Sequence, residues 1–119
     1  MGTIRKINFN DLDEINKLEK SIFSNFWSLE IIKSQIKHPE SINLLLAKET
    51  QILGYLFTRK YIDFVEIERI GVLSSKRRNY VGEELIKKLE VIVALEGIKK
   101  ITLEVREDNH SAISLYKKL

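Results

Sequence analysis

The stretch that decides the fold reads Ile70-Gly71-Val72-Leu73-Ser74-Ser75-Lys76-Arg77-Arg78-Asn79-Tyr80-Val81-Gly82-Glu83-Glu84. Its beginning is an apolar strand, its middle is basic, and its end opens a helix with the apolar periodicity of a buried face. The start of a helix presents unpaired backbone N–H groups and a partial positive charge. A diphosphate bound there gains charge-assisted hydrogen bonds. The segment therefore indicates an anion site, although a basic run before a helix is more often only a solvated turn.

The strand that leads into this segment changes phase along its length. Val65 and Ile67 share one phase of the alternation, whereas Ile70 and Val72 share the other. An extra residue in one strand, a β-bulge, produces such a slip. We therefore predict a bulge near positions 68–69, and bulges are common beside active sites.

The other elements follow from hydrophobic periodicity and capping residues. Strands are expected over residues 3–9, 42–48, 52–59, 61–73 and 99–105, and helices after Asn10 or Asp11, after Ser28, over residues 80–96 and after Asn109. The second helix must end before His38-Pro39, because a residue that precedes proline disfavours helix. Gly97 suits the position after the last turn of the third helix. The order βααβββαβα predicts an α/β fold with a sheet covered by helices.

Composition excludes several classes of protein. The 119 residues fit one domain, residues 1–119, and a net charge of +3 is too small to imply a nucleic-acid partner. The absence of cysteine excludes disulfides, thiolate metal sites and a cysteine nucleophile. His38 and His110 lack metal-ligand spacing, so no metal is expected. No apolar run is long enough for a transmembrane helix and no signal peptide is visible, so we expect no membrane partner and a cytoplasmic location.

The chain resembles the GNAT acetyltransferase superfamily. The family motif V-x-x-x-x-[QR]-x-x-G-x-[GA] is matched by Val72 followed by Arg77-Arg78-Asn79-Tyr80-Val81-Gly82. More narrowly, the chain is similar to the RimI group of ribosomal-protein N-terminal alanine acetyltransferases. That likeness rests on Phe26-Trp27-Ser28, on Leu103-Glu104-Val105-Arg106 and on Asn109-His110-Ser111-Ala112-Ile113-Ser114-Leu115-Tyr116.

The resemblance implies a fold and a set of site residues. The fold is a mixed, mostly antiparallel twisted sheet flanked by helices, as in acyl-CoA N-acyltransferases. Acetyl-CoA is the implied cosubstrate, and backbone groups of Ile70, Gly71 and Val72 would pair with its pantetheine arm. The residues expected around its pyrophosphate are Arg77, Arg78, Asn79, Tyr80, Val81, Gly82 and Glu83. Asn109 would bond the cosubstrate near its reactive end, with Glu104 as general base and Tyr116 as general acid.

Each implied role has a plainer alternative in the residue pattern. Glu104 lies in an alternating strand and fits a polar-face position. Tyr116 fits the edge of a core, and Asn109 fits a helix cap. Trp27 is more often a packing residue than a substrate contact. Glu66 and Glu68 on the bulged strand are rival bases, ranked below Glu104.

The sequence departs from the family pattern at two places. Tyr80 stands where the motif has its first glycine, which keeps the backbone N–H and adds a side chain near the phosphates. The chain ends at Leu119, where the family continues with Gly-Phe and two more strands. We therefore expect a C-terminally shortened domain that lacks the usual C-terminal strands. Its fifth strand would offer an open edge through which copies self-associate.

Three functions follow from these features. The leading one is acetyl transfer from acetyl-CoA to the N-terminal α-amine of a protein, with a ribosomal protein as the implied acceptor. The second is a GNAT-fold module with weak or no catalysis that acts through protein interaction. The third is acetylation of another primary amine, such as that of a small molecule.

Overall fold

The computed structural model describes residues 2–76 and 80–103 and contains one five-stranded sheet. Its strands are β1 (Thr3–Lys6), β2 (Leu44–Lys48), β3 (Gln51–Lys60), β4 (Val65–Val72) and β5 (Ile101–Leu103), and its helices are α1 (Leu12–Ile22), α2 (Leu29–Lys37) and α3 (Val81–Leu95). The strands lie side by side in chain order. All neighbours are antiparallel except β4 and β5, which are parallel. The predicted mixed, mostly antiparallel sheet flanked by helices is confirmed.

The sheet buries a different helix layer on each face. Successive residues of a strand point to opposite faces, so Leu56 packs in the cluster that includes α3, whereas Tyr55 and Phe57 pack in the cluster that includes α1 and α2. On the α3 face, apolar side chains of the strands pack against Leu85, Leu89 and Val93 of α3. The face towards α1 and α2 also buries Glu19, a charged residue of α1. This second face carries most of the polar groups discussed below.

The first helix begins after Asp11, as predicted, but the predicted side-chain cap is missing. Neither Asn10 nor Asp11 caps α1 with its side chain; instead Asn8 caps a short 3-10 turn before it and accepts from the N–H of Asn10 at 2.9 Å. The Asp11 carboxylate is already committed, since it accepts from the N–H of Asn8 at 2.9 Å and pairs with Arg5 at 2.8 Å. The helix therefore starts on a preceding turn rather than on its own cap.

Two other helix ends are confirmed. The Ser28 hydroxyl accepts from the N–H of Ile31 at 3.2 Å and caps α2. Gly97 follows α3 with φ +79°, a conformation that costs glycine little. The N–H of Ile98 then donates to the carbonyl of Val93 at 3.1 Å and closes the helix.

The strand ends differ from the predicted ones where turns intervene. The strand predicted over residues 61–73 begins only at Val65, because Tyr61 and Phe64 close a tight turn. The N–H of Tyr61 donates to the carbonyl of Phe64 at 2.8 Å, and the two rings stack with centroids 4.6 Å apart. The helix predicted after Asn109 lies outside the described residues. Within residues 2–76 and 80–103, none of the helices has the length and apolar character needed to cross a bilayer.

Candidate active site

The predicted bulge lies in the middle of β4. Phe57 of β3 pairs with Arg69, but the next residue, Thr58, pairs with Ile67. Glu68 is therefore the extra residue, and the bulge predicted at positions 68–69 is confirmed. Because of it, Ile67 and Ile70 both pack in the α3-side core, although strict alternation would put them on opposite faces.

The bulge also divides β4 into two halves with different neighbours. We call residues 65–67 the closed half, because they pair with β3 on one side and with β5 on the other. We call residues 68–72 the open half, because within the described part of the chain they pair with β3 alone. In this described part of the sheet, the side of the open half away from β3 is an edge on which an extended ligand can form backbone hydrogen bonds.

The direction of the free backbone groups follows from the antiparallel pattern. The N–H of Leu73 donates to the carbonyl of Leu53 at 2.9 Å. Hydrogen-bonded and non-hydrogen-bonded residue pairs alternate along such a ladder. The N–H and carbonyl groups of Gly71 are therefore hydrogen-bonded to β3. The N–H and carbonyl groups of Ile70 and Val72 then point away from β3, towards the open edge. These two residues offer donors and acceptors to a ligand that lies along β4.

Gly54 of β3 brings the start of α3 next to the open half. A Cβ at Gly54 would lie 2.6 Å from Cγ1 of Val81 and 3.1 Å from the carbonyl oxygen of Gly71. The residue must therefore be very small for the helix to pack this close to the sheet. The predicted cofactor residues Gly71 and Val81 are neighbours across this glycine.

The first turn of α3 has no side-chain cap. Tyr80 occupies the N-cap position, and its carbonyl accepts from the N–H of Glu84 at 2.9 Å. The N–H groups of the first helical residues, Val81, Gly82 and Glu83, have no acceptor within the helix itself. They form a ready anion site close to the open half of β4.

Tyr80 holds a backbone conformation that glycine takes more easily. Its φ of 64° and ψ of 15° lie in the left-handed region, which costs a residue with a Cβ about 1–2 kcal/mol. Its side chain is 70% exposed. The backbone at Tyr80 therefore keeps a conformation that suits the glycine of the motif. The tyrosine ring extends into solvent next to the anion site.

A buried ion pair lies beside the open half on the face towards α1 and α2. Glu19 of α1 is fully buried, and Arg69 of β4 is nearly so. The Arg69 Nη2 donates to Glu19 Oε1 at 2.7 Å, and its Nε donates to Oε2 at 3.0 Å. The Tyr55 hydroxyl donates to Glu19 Oε2 at 2.6 Å. Burial, and then the neighbouring Glu19 carboxylate, raises the pKa of Tyr55, so the phenol remains a donor.

This cluster explains why residue 71 is glycine. A Cβ at Gly71 would lie 2.6 Å from the Cζ and the hydroxyl oxygen of Tyr55. The tyrosine ring therefore occupies the space beside Gly71 that a side chain would need. The cluster is in direct contact with the backbone of the open half, in the middle of the predicted cofactor strand.

The same arginine reaches the loop between α1 and α2. We call residues 23–28 the α1–α2 loop. Arg69 Nη2 donates to the carbonyl of Asn25 at 2.9 Å, and its guanidinium lies 3.7 Å from the ring centroid of Phe23. The N–H of Trp27 donates to Glu19 Oε1 at 2.8 Å. The ring of Trp27 also packs against Phe57 with centroids 5.4 Å apart, as the packing alternative for Trp27 expects.

The bulge residue itself carries a carboxylate. Glu68 Oε1 accepts from Nε2 of Gln35 at 2.9 Å and lies 4.0 Å from Nη2 of Arg59. Its side chain is 23% exposed. Both Glu68 and Arg69 thus project towards α1 and α2, which is possible for adjacent strand residues only because of the bulge. Glu68 remains a rival to Glu104 as a base.

Part of the predicted site lies outside the described residues. That part comprises Arg77, Arg78, Asn79, Glu104, Asn109 and Tyr116. The structure brings Ile70, Gly71 and Val72 next to the start of α3 with its Tyr80, Val81, Gly82 and Glu83. In the described ranges, no cluster of histidine and carboxylate side chains suits a metal ion.

Sequence reasoning missed the Glu19–Arg69 pair. A signal for it exists, since Glu19 lies on the apolar stripe of α1 with Ile15 and Ile22. A charged residue on a stripe that must be buried needs a buried partner of opposite charge. Arg69 is that buried partner of opposite charge. It lies on a strand, next to the apolar Ile70.

Comparison with known proteins supports the same assignment. The family model described as the acetyltransferase (GNAT) family matches residues 12–119. The ribosomal protein bS18-alanine N-acetyltransferase of Haemophilus influenzae is 28% identical over 119 residues, which is 100% of this chain and 80% of that relative.

Two solved structures share the fold. The crystal structure of the ribosomal-protein-S18-alanine N-acetyltransferase from Escherichia coli superposes with a TM-score of 0.87 at 24% identity, and covers 97% of this chain and 74% of that one. Arabidopsis thaliana NAA60 in complex with acetyl-CoA gives a TM-score of 0.82 at 16% identity, with 97% and 81% of the two chains covered.

Proposed function

The chain belongs to the acetyltransferase (GNAT) family, and we propose that this acetyl-CoA-dependent N-acetyltransferase acetylates the N-terminal α-amine of a protein. A ribosomal protein is the first acceptor to test, because the Haemophilus influenzae relative is named for that reaction. The observation that carries the proposal is that Ile70 and Val72, beyond the bulge of β4, direct backbone groups away from β3 next to the start of α3, which has no side-chain cap. A cytoplasmic location remains a prediction from the sequence.

The described residues fit acetyl-CoA in two places. The outward backbone groups of Ile70 and Val72 suit the amides of a pantetheine arm, which would lie along β4 like an added strand. The first-turn amides of α3 suit its pyrophosphate, and Gly82 has no Cβ to hinder a close approach. Bound acetyl-CoA supplies an activated thioester, whose acetyl group is the group transferred.

The proposed roles of the side chains follow from the acid–base chemistry of the reaction. An N-terminal amine is largely protonated near neutral pH, so a carboxylate must remove a proton before the nitrogen attacks. We assign this to Glu104, with Glu68 and Glu66 as rivals on the bulged strand. Tyr116 would protonate the departing thiolate, and Asn109 would bond the cosubstrate near that end.

The first test is cosubstrate binding followed by an acceptor screen. Binding to the folded state alone raises stability by about 2.7 kcal/mol at a concentration one hundred times Kd, so acetyl-CoA should raise the melting temperature. The screen compares a peptide beginning with alanine, its N-acetylated control, a peptide whose only amine is a lysine side chain, and a small polyamine. Acetylation of the free N-terminus alone supports the proposal. Acetylation of the polyamine alone would replace it, and the lack of any thermal shift would favour a non-catalytic module.

Substitution of the base gives a second test. Glu104→Gln should lower turnover most at low pH, where the amine is protonated, and should recover towards high pH as the free amine becomes abundant. The affinity for acetyl-CoA should change little. The matched variant is Glu68→Gln. If the pH-dependent loss appears in Glu68→Gln and not in Glu104→Gln, the base is on the bulge.

A further inference from the structure

The Glu19–Arg69 pair connects α1 and the loop that follows it to the open half of β4, which is distant in the sequence. Glu19 belongs to α1 and Arg69 to the open half of β4, and their hydrogen bonds are 2.7–3.2 Å long. Two hydrogen bonds join the loop to the pair: the carbonyl of Asn25 accepts from Arg69, and the N–H of Trp27 donates to Glu19. The loop thus uses a donor of Arg69 and an acceptor position of Glu19 that the pair itself does not occupy.

The position of this cluster relates it to the reacting end of the site. The anion site at α3 lies beyond Val72, at the end of the open half, so a ligand that starts there and runs along β4 has its far end near the bulge. Arg69 lies at the bulge and is bonded to the α1–α2 loop. The loop is thus held beside the end of the cosubstrate where an amine must arrive, and α2 is held at the same bulge by the bond from Gln35 to Glu68.

The loop exposes one aromatic side chain, Phe26, next to the polar Ser24 and Asn25. Phe26 is 44% exposed and Leu29, at the start of α2, is 39% exposed. Their inner neighbours Phe23 and Trp27 contact the Arg69 guanidinium at 3.7 and 5.2 Å from the ring centroids. The arginine therefore supports the loop from beneath while its outer side chains remain free to contact an acceptor.

We infer that Arg69 and Glu19 are positioning residues that hold the α1–α2 loop against the bulge and thereby set the affinity for the amine acceptor. This inference rests on the proposed function. Neither residue has to touch a substrate. Arg69 fixes the loop through Asn25 and Phe23, and Glu19 fixes it through the N–H of Trp27.

A double variant tests this without leaving a charge buried. In Glu19→Gln/Arg69→Met the glutamine oxygen can still accept from Trp27 N–H, whereas the bonds to Asn25 and the contact with Phe23 are lost. The expected result is a rise of roughly tenfold in KM for the acceptor, because a small displacement of a positioning element has a large effect. The dissociation constant of acetyl-CoA should change less than about twofold, since the edge of the open half is intact.

The matched control is Arg5→Met at the opposite edge of the sheet. Arg5 makes a similar forked pair with Asp11, at 2.9 and 2.8 Å, but does not contact the loop. The KM for the acceptor and the dissociation constant of acetyl-CoA should both remain as in the wild type. Equal increases in the acceptor KM of Arg5→Met and of the double variant would overturn the inference, because general destabilisation would then explain both.

Trp27 supplies a readout that does not depend on activity. It is the only tryptophan in the chain, so intrinsic fluorescence reports on this loop. Acrylamide quenching should rise in the double variant and not in Arg5→Met. If the double variant is folded but neither quenching nor acceptor KM changes, the positioning role is wrong.

The proposed N-terminal acceptor and the proposed positioning role can be disproved separately. The kinetic assay uses whichever amine the wild type acetylates. A wild type that acetylates only a small amine overturns the N-terminal acceptor, while the positioning role is still judged by the KM for that amine. Wild-type activity on an N-terminus with an unchanged acceptor KM in the double variant overturns the positioning role alone.

Discussion

The closed and open halves of β4 differ in what surrounds them, although they belong to one strand. The closed half has a strand on each side, and its Val65 and Ile67 are buried in the α3-side core. The open half has β3 on one side, a helix start at its end and a buried ion pair on its face. One extra residue, Glu68, separates the two.

The difference shows how a sheet can carry a binding edge without losing stability. The closed half has its backbone groups paired and its side chains packed, as a central strand requires. Among residues 2–76 and 80–103 the open half pairs with β3 alone, and its backbone is also supported by Tyr55 against Gly71 and by the Glu19–Arg69 pair. The following predictions test whether that support is real.

The largest expected effect comes from removing the charge beside the open half. Arg69→Met leaves the Glu19 carboxylate buried without its cation, and breaking a buried pair in this way costs about 3–5 kcal/mol. The free energy of unfolding, measured by urea denaturation, should fall by that amount. Arg5→Met is the comparison variant: Arg5 is 44% exposed, whereas Arg69 is 10% exposed. The buried Asp11 carboxylate keeps its hydrogen bond from the N–H of Asn8, so the loss should be smaller than in Arg69→Met. Similar losses in the two variants would show that the buried pair gives no special support.

An intermediate effect is expected at the centre of the open half. Gly71→Ala places a methyl group 2.6 Å from the ring of Tyr55, which is fully buried and has no space to retreat. Overpacking of this kind costs about 1–3 kcal/mol, and the melting temperature should fall accordingly. Gly97→Ala is the contrasting variant, since a Cβ there meets nothing within 4 Å and only its φ of +79° is unfavourable. A Gly71→Ala protein as stable as the wild type would mean that Tyr55 does not support this strand.

The smallest effect is expected where the open half leads into α3. Tyr80→Gly should raise the free energy of unfolding by about 0.5 kcal/mol, because relief of the left-handed strain exceeds the larger entropy that glycine loses on folding. Tyr80→Ala keeps a Cβ in the same conformation and should give no such gain. Thermal denaturation of the two variants measures the difference. An equal gain in both would assign the effect to the exposed ring rather than to the backbone.

The sequence predicted the bulge of β4 because the change of phase is local. The apolar phase changes between Ile67 and Ile70, and a bulge is the simple explanation of that change. The start of α3 was likewise visible as a basic turn before a periodic helix. These features depend on residues close together in the chain.

The support of the open half could not be predicted in the same way. Arg69 meets Glu19 across 50 positions of the chain, and no local pattern says which buried charges will pair. The missing side-chain cap of α1 has a similar cause, since the Asp11 carboxylate pairs with Arg5 instead. The roles of Glu104, Asn109 and Tyr116 remain predictions from the family resemblance.

The most direct test of the account is amide hydrogen exchange of β4 with and without acetyl-CoA. The N–H groups of Ile70 and Val72 point to the open edge and should exchange at least about tenfold more slowly when the cosubstrate is bound, as newly formed hydrogen bonds protect them. The N–H groups of Gly71, which faces β3, and of Ile67, in the closed half, should change little. Equal rates at Ile70 and Val72 in the two states, under conditions where acetyl-CoA binds, would contradict the claim that the open half of β4 holds the cosubstrate.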